Sequence, residues 1–185
     1  MFQTLIENIA TKLDKANLPY MIIGGQAVLL YGEPRLTKDI DITLGIGVNE
    51  YKKILSTITE LNLKILIDNP ESFINEFMVL PVIDEKSGIK IDFIFSFTLY
   101  EKDAIKRSKK VKLGKTMVNF ASLEDVVIHK IIAGRARDLE DIRNILLKNS
   151  NFDKDYIYKW LEKFDKSLDE IFSKRFNETL KELKG

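Results

Sequence analysis

The sequence predicts an α+β fold: a mixed β-sheet flanked by helices over residues 1–120, followed by a helical region over 121–185 packed on it. Short runs such as Lys38–Leu44 and Ile89–Phe95 alternate apolar and polar residues with the two-residue period of a half-buried strand. Between such runs, apolar residues recur every three or four positions, the spacing of an amphipathic helix. Beyond Phe120 the strand period stops and the helical one continues almost to the end.

Taken in order, Phe2, Leu5, Ile6, Ile9 and Leu13 recur at helical spacing and predict a first amphipathic helix. Pro19 ends that region, since proline has no amide hydrogen to donate. Tyr20–Ile23 reads as a short buried strand running into Gly24-Gly25, and Gln26–Tyr31 as a short helix closed by Gly32 and the Pro34 loop. Lys38–Leu44 is the second strand and Tyr51–Leu61 a helix. Leu63–Ile67, Phe77–Val82 and Ile89–Phe95 read as further strands, and Lys109–Leu113 pairs with Thr116–Phe120 in a hairpin across Gly114-Lys115. Ser122-Leu123-Glu124-Asp125 opens a helix, with Ser122 as N-cap and Asp125 at the capping-box position. The helical pattern breaks near Gly134 and at Asn149-Ser150-Asn151.

The 185 residues suit one domain, or one compact domain with a helical appendage, and 45% hydrophobic residues suffice for a real core. With 29 basic against 28 acidic residues, no overall field draws the chain to nucleic acid or membrane, though a local basic patch stays open. The absence of cysteine excludes disulfides, thiolate catalysis and thiolate-bound zinc, and a single histidine excludes a multi-histidine metal site. The remaining metal ligands are carboxylates, which favour magnesium or manganese. The N-terminal stretch lacks the apolar core of a signal peptide, and no window approaches the ~18 apolar residues of a membrane span. The expectation is a soluble, cytoplasmic protein.

Two aspartates interrupt the strand at Asp39 and Asp41, although aspartate is a poor strand former. Strand alternation puts Asp39, Asp41 and Thr43 on one face and Ile40, Ile42 and Leu44 on the other. The run around Ile89–Phe95 repeats the design, with Lys90 and Asp92 opposite Ile91, Phe93 and Phe95. If the two strands are neighbours, three carboxylates converge on one patch, where like charges call for a counter-charge such as a divalent cation. Gly24-Gly25 sits where a strand turns into a helix, a place where backbone amides meet phosphate. A phosphate site followed by a metal-binding carboxylate pair points to a nucleoside triphosphate with its metals.

Gly24-Gly25, Arg35-x-Thr37-x-Asp39-Ile40-Asp41 and Asp92 together resemble the nucleotidyltransferase superfamily, with the first half of the chain carrying the resemblance. It implies that Asp39, Asp41 and Asp92 hold two magnesium (or manganese) ions, that Asp92 is the candidate general base, and that Gly24, Gly25, Arg35 and Thr37 bind the nucleotide. It also implies transfer of a nucleoside monophosphate from an NTP to an acceptor, with release of pyrophosphate. Many members have Gly-Ser where this chain has Gly24-Gly25. The CCA-adding branch carries an arginine-aspartate pair where this chain reads Gln26-Ala27-Val28-Leu29.

In the second half, Lys130, Gly134 and Asp138 are spaced by four, so an unbroken helix would stack them. Lys130 could then neutralise a triphosphate across a cleft from the carboxylates. The plainer reading is surface ion pairs such as Lys130–Asp138 or Arg135–Glu140. The segment resembles the C-terminal motif of the abortive-infection-type toxin nucleotidyltransferases, which implies functional roles for Lys130 and Asp138, phosphate contact for Arg135, and an antitoxin partner. The alternative to an enzyme is a catalytically silent nucleotide-binding or toxin–antitoxin module. The acceptor (tRNA, protein or small molecule) and the NTP used are not readable.

His129 reads as a partly exposed helix residue. The run from Lys106 to Lys115 suits either an RNA backbone or a solubilising edge strand. Tyr31 suits a nucleobase or the core, and Trp160, Phe164, Phe172 and Phe176 the core of the terminal helices.

Overall fold

The computed structural model describes residues 2–34, 36–96 and 98–183. Two compact units emerge, Met1–Gln26 with Leu36–Ala121 and Ala27–Arg35 with Ser122–Gly185. The division falls within one helix, just after Gln26.

The first unit holds α1 (Phe2–Lys15), β1 (Tyr20–Ile22), the start of α2 (Gly24–Tyr31), β2 (Asp39–Leu44), α3 (Lys52–Glu60), β3 (Lys64–Ile65), α4 (Pro70–Phe77), β4 (Val79–Asp84), β5 (Ile89–Phe95), α5 (Leu99–Lys106), β6 (Lys109–Leu113) and β7 (Thr116–Phe120). Seven strands form one sheet in the order β3-β4-β5-β2-β1-β7-β6. It is mixed: β2 runs parallel to β5 and β1 parallel to β7, while the other pairs are antiparallel. Ile40, Ile42, Leu44, Ile91, Phe93, Phe95, Tyr20, Ile22, Val118 and Phe120 are buried on one face. Helix α1 lies against β7 and buries Leu5, Ile6, Ile9, Ala10 and Leu13. Each such leucine or isoleucine contributes about 1.5–3 kcal/mol by leaving water, which fixes the register of the sheet beneath.

The second unit holds the rest of α2, then α6 (Leu123–Ala133), α7 (Ala136–Lys148), α8 (Lys154–Leu168) and α9 (Phe172–Glu182). Ser122 caps α6 as expected: the Asp125 amide donates to its Oγ at 3.2 Å, and that hydroxyl donates to Asp125 Oδ2 at 2.6 Å. Asn149 Nδ2 donates to the carbonyls of Tyr31 and Ile145, both at 2.8 Å, and Lys148 Nζ to that of Gly32 at 3.0 Å, fastening the end of α2 to the end of α7. Trp160, Phe172 and Phe176 are buried and Phe164 is half-buried, as the apolar spacing predicts. No helix of the described residues is long and apolar enough to cross a membrane.

Several boundaries differ from the sequence expectation. The strand expected over Leu63–Ile67 shrinks to Lys64–Ile65. The one expected from Phe77 starts at Val79, because Phe77 is the last residue of α4 and Met78 turns the chain with φ +58°. Helices α4 and α5, which the sequence expectation leaves out, carry clear caps. Asn69 Oδ1 accepts from the Ser72 amide at 3.2 Å with Pro70 at the first helical position, and Thr98 with Glu101 forms a capping box. The break between α8 and α9 at Asp169 (φ +53°) was also unsignalled by glycine or proline.

Candidate active site

Strands β2 and β5 are parallel neighbours with Asp39 opposite Lys90 and Asp41 opposite Asp92. Opposed residues in a ladder project to the same side, so all four lie on one face, with the buried isoleucines and phenylalanines on the other. Asp39 and Lys90 are exposed, Asp41 and Asp92 half-buried. Burial pushes the Asp92 carboxyl above its ordinary range, the charge of Asp39 adds to the rise, and Lys90 offsets only part of it.

Gly24, two residues beyond β1, starts α2 with φ +61°, a left-handed conformation that favours glycine. A Cβ there would stand 1.8 Å from Asp41 Oδ2 and 2.7 Å from its Cγ. The missing side chain is therefore the seat of the Asp41 carboxylate. Backbone pairing holds the two together, as the Ile23 amide donates to the Asp41 carbonyl at 2.9 Å. This role is absent from the sequence reading, which gave Gly24 to phosphate alone; only the pairing of β1 with β2 brings the two residues together. Gly25 follows in the first turn of α2. Gln26, 8% exposed, donates from Nε2 to Thr37 Oγ1 at 2.6 Å and ties that turn to the loop before β2. The sequence reading gave Gln26 no such role. Arg35 lies outside the described residues.

Lys130 and Asp138 meet, but not by helical stacking. Helix α6 stops at Ala133, Gly134 reverses the chain with φ +62°, and the pair closes across the break. Lys130 Nζ lies 2.6 Å from Asp138 Oδ1 and 3.0 Å from Asp141 Oδ2, with only 9% of its side chain exposed. Asp138 Oδ2 accepts from Arg135 Nε at 2.6 Å and from the Arg135 amide at 3.3 Å. The surface pairs expected here become one cluster around the buried Lys130, Asp138 and Asp141, with the exposed Arg135 on Asp138 rather than on Glu140 and with Asp141 as an unanticipated member. Burial alone would raise the Asp138 carboxyl, but hydrogen bonds from Arg135 and Lys130 hold it below the ordinary range.

Among the remaining expectations, Tyr31 is 8% exposed, and burial pushes its phenol up to about 12. His129 is half-buried, and the Lys106–Lys115 run passes through the edge strand β6.

Among the described residues, no three histidine or carboxylate side chains are gathered closely enough to hold a metal ion as they stand. The donor set at Asp39, Asp41 and Asp92 is nonetheless all oxygen, as a hard cation requires, and the Gly24 seat admits a carboxylate where any Cβ would exclude it.

Solved structures of nucleotidyltransferases and of a nucleotidyltransferase-like protein share this fold. ANT(2'')-Ia in complex with adenylyl-2''-tobramycin superposes with a TM-score of 0.55 at 18% identity, over 78% of this chain and 87% of that one. A nucleotidyltransferase-like protein from Paracoccidioides brasiliensis gives 0.54 at 18% identity over 78% and 73%. The lincosamide antibiotic adenylyltransferase LnuA gives 0.50 at 16% over 72% and 89%. At these identities the likeness is one of fold. No curated protein sequence matches. A family model matches residues 1–183, so the chain belongs to the family described as nucleotidyltransferase of unknown function (DUF6036).

Proposed function

We propose that the chain transfers a nucleoside monophosphate from a nucleoside triphosphate to an acceptor hydroxyl and releases pyrophosphate, with Asp39, Asp41 and Asp92 as its catalytic carboxylates. The observation that carries this reading is the register of β2 on β5, which sets Asp41 beside Asp92 on the face that also bears Asp39. Those three would hold magnesium or manganese, which when bound would offset their mutual repulsion and the charge on the phosphates.

The residues of the chain then have distinct tasks. Asp92, whose carboxyl is the more basic for its burial and for Asp39, takes the proton of the acceptor hydroxyl. The acceptor oxygen bonds to the α-phosphorus as the bond to the bridging oxygen breaks, and pyrophosphate leaves in line. Gly24 seats Asp41, and the amides of Gly24 and Gly25 at the start of α2 face phosphate oxygens. Thr37, pinned by Gln26, and Arg35 contribute to the nucleotide site. Lys130 and Asp138 act in our reading by fixing the α6–α7 turn, from which Arg135, with 77% of its side chain exposed, presents a positive charge to an anion.

The family description and the adenylyl-antibiotic neighbours support transfer chemistry, while tRNA, protein and small molecules stay open as acceptors. Incubation with each α-labelled NTP, magnesium or manganese, and a cell extract, followed by separation of RNA, protein and small molecules, tests the reading. Label is expected in one fraction, with an equal amount of pyrophosphate. Label in none, with no pyrophosphate from any NTP, overturns it.

A further inference from the structure

The catalytic face leaves one conspicuous charge pattern unused. Six of the chain's 29 basic residues and none of its 28 acidic ones fall between Lys106 and Lys115, which leaves the rest of the chain net negative by five. These residues run from the end of α5 through β6 to the hairpin turn, and β6 is an edge strand of the sheet. Lys109, Lys110, Lys112 and Lys115 are exposed. Among the described residues, Lys110, Lys112 and Lys115 have no carboxylate within 4.0 Å.

The sheet register relates this strand to the carboxylates. Thr43, on the face of Asp39 and Asp41, opposes Met21 of β1. Ile22 opposes Phe120 of β7, so the next residues, Met21 and Asn119, share the other side. Asn119 and Met117 oppose Lys110 and Lys112. Lys110 and Lys112 therefore project from the same face of the sheet as Asp39, Asp41 and Asp92, three strand spacings from β2, or about 14 Å. Toward the middle of this face Met21 and Thr43 are buried, whereas at its edge the lysines flank Met117, which is 48% exposed. The open ground is the edge. Two lysines separated by one residue stand about 7 Å apart along a strand, so the cations form a line rather than a disc.

We infer that β6 and its turn form a docking line for the phosphate backbone of a single-stranded polynucleotide, which presents its end to the carboxylates as acceptor. A linear array of cations on one strand matches a linear polyanion. A membrane surface would be met by apolar side chains among the lysines, and among the described residues of β6 and β7 on this face the exposed apolar one is Met117. The lysines anchor the body of the acceptor and touch no reacting atom. The assignment of the polynucleotide as acceptor rests on the transfer reading above; the docking line itself does not.

Fluorescence anisotropy of the full chain with a labelled 20-nucleotide single-stranded RNA, titrated across a salt series, tests the inference. Wild-type protein is expected to bind with log K falling linearly in log salt. The K110Q/K112Q/K115Q variant is expected to lose on the order of tenfold in affinity and about two units of that slope, at ~0.7 per phosphate contact. The K110R/K112R/K115R variant is expected to bind like wild type, and all three proteins to melt together because the side chains are exposed. Asp41→Asn should bind RNA normally, so loss of transfer and loss of docking are read separately. The same series with single-stranded DNA distinguishes a line that reads phosphates alone, binding both, from one that requires ribose, and either result supports docking. No binding of either polymer, an unchanged slope in the glutamine variant, or binding only to vesicles of equal parts phosphatidylcholine and phosphatidylserine overturns it.

Discussion

The two charged clusters of this chain are built on opposite rules. On the β2–β5 face, Asp39, Asp41 and Asp92 gather like charges on a half-open surface, and Asp92 is driven toward its protonated form. At the α6–α7 turn, Lys130, Arg135, Asp138 and Asp141 gather opposite charges with hydrogen bonds between them, and Asp138 is held ionised. The second arrangement balances its charges within itself. The first gains from any ligand that brings positive charge. Each cluster has its glycine with positive φ: Gly24 clears space for the Asp41 carboxylate, whereas Gly134 turns the chain between helices and clears space for the Arg175 guanidinium.

Substitutions should therefore separate the clusters. Asp41→Asn is expected to reduce transfer by on the order of 10³-fold while leaving the melting temperature at or above that of wild type. Pyrophosphate release and thermal unfolding on the same sample check this, and a fall of several degrees would group Asp41 with the structural cluster. Lys130→Met leaves two buried carboxylates short of a cation and is expected to cost about 3–5 kcal/mol in denaturant unfolding. A cost below about 1 kcal/mol would show that the lysine is not needed for the turn.

Gly24→Ala and Gly88→Ala both force alanine into positive φ, +61° and +71°, at roughly 1–2 kcal/mol each. Only at Gly24 would the new Cβ displace a carboxylate, since nothing lies within 4 Å of the Gly88 position. Transfer should fall by about 10²-fold in the first and stay at wild-type level in the second. Equal activities would remove the seat from the account.

The smallest effect is in the pH dependence of stability. Asp138 lies below 3.8 in the folded chain, so its stabilisation is present above 3.8 and lost as pH falls through its lowered value. Asp92 lies above 3.8, so its ionisation costs stability above its raised value, and that cost vanishes below 3.8. Relative to wild type at pH 7, Asp138→Asn should thus be less stable and Asp92→Asn slightly more so, with both differences shrinking in acid. The same sign for both variants at pH 7, or differences at pH 3 as large as those at pH 7, in urea titrations would contradict the contrast.

Sequence made the first cluster legible and the second only partly so. Strand alternation alone puts Asp39 with Asp41, and it turns Lys90 and Asp92 away from Ile91 and Phe93, because the period of a strand is fixed by its backbone. The β6–β7 hairpin was readable to the residue for the same reason. What alternation omits is who pairs with whom, so the approach of Gly24 to Asp41 appears only with the β1–β2 ladder. At Lys130 the break near Gly134 is legible, but the closure of Lys130 on Asp138 across it, its burial and the part of Asp141 follow from the packing of α7. Helices α4 and α5 escaped because short helices are signalled by caps such as Asn69-Pro70 and Thr98-Glu101 more than by periodicity.

We propose that the carboxylate face meets a cation-bound triphosphate. Calorimetric titration of a non-hydrolysable ATP analogue into wild type and Asp41→Asn, with manganese and then with excess EDTA, tests it most directly. Manganese-dependent binding that is lost in EDTA and weakened in Asp41→Asn is the expected result. Binding of equal strength in all four titrations would contradict it.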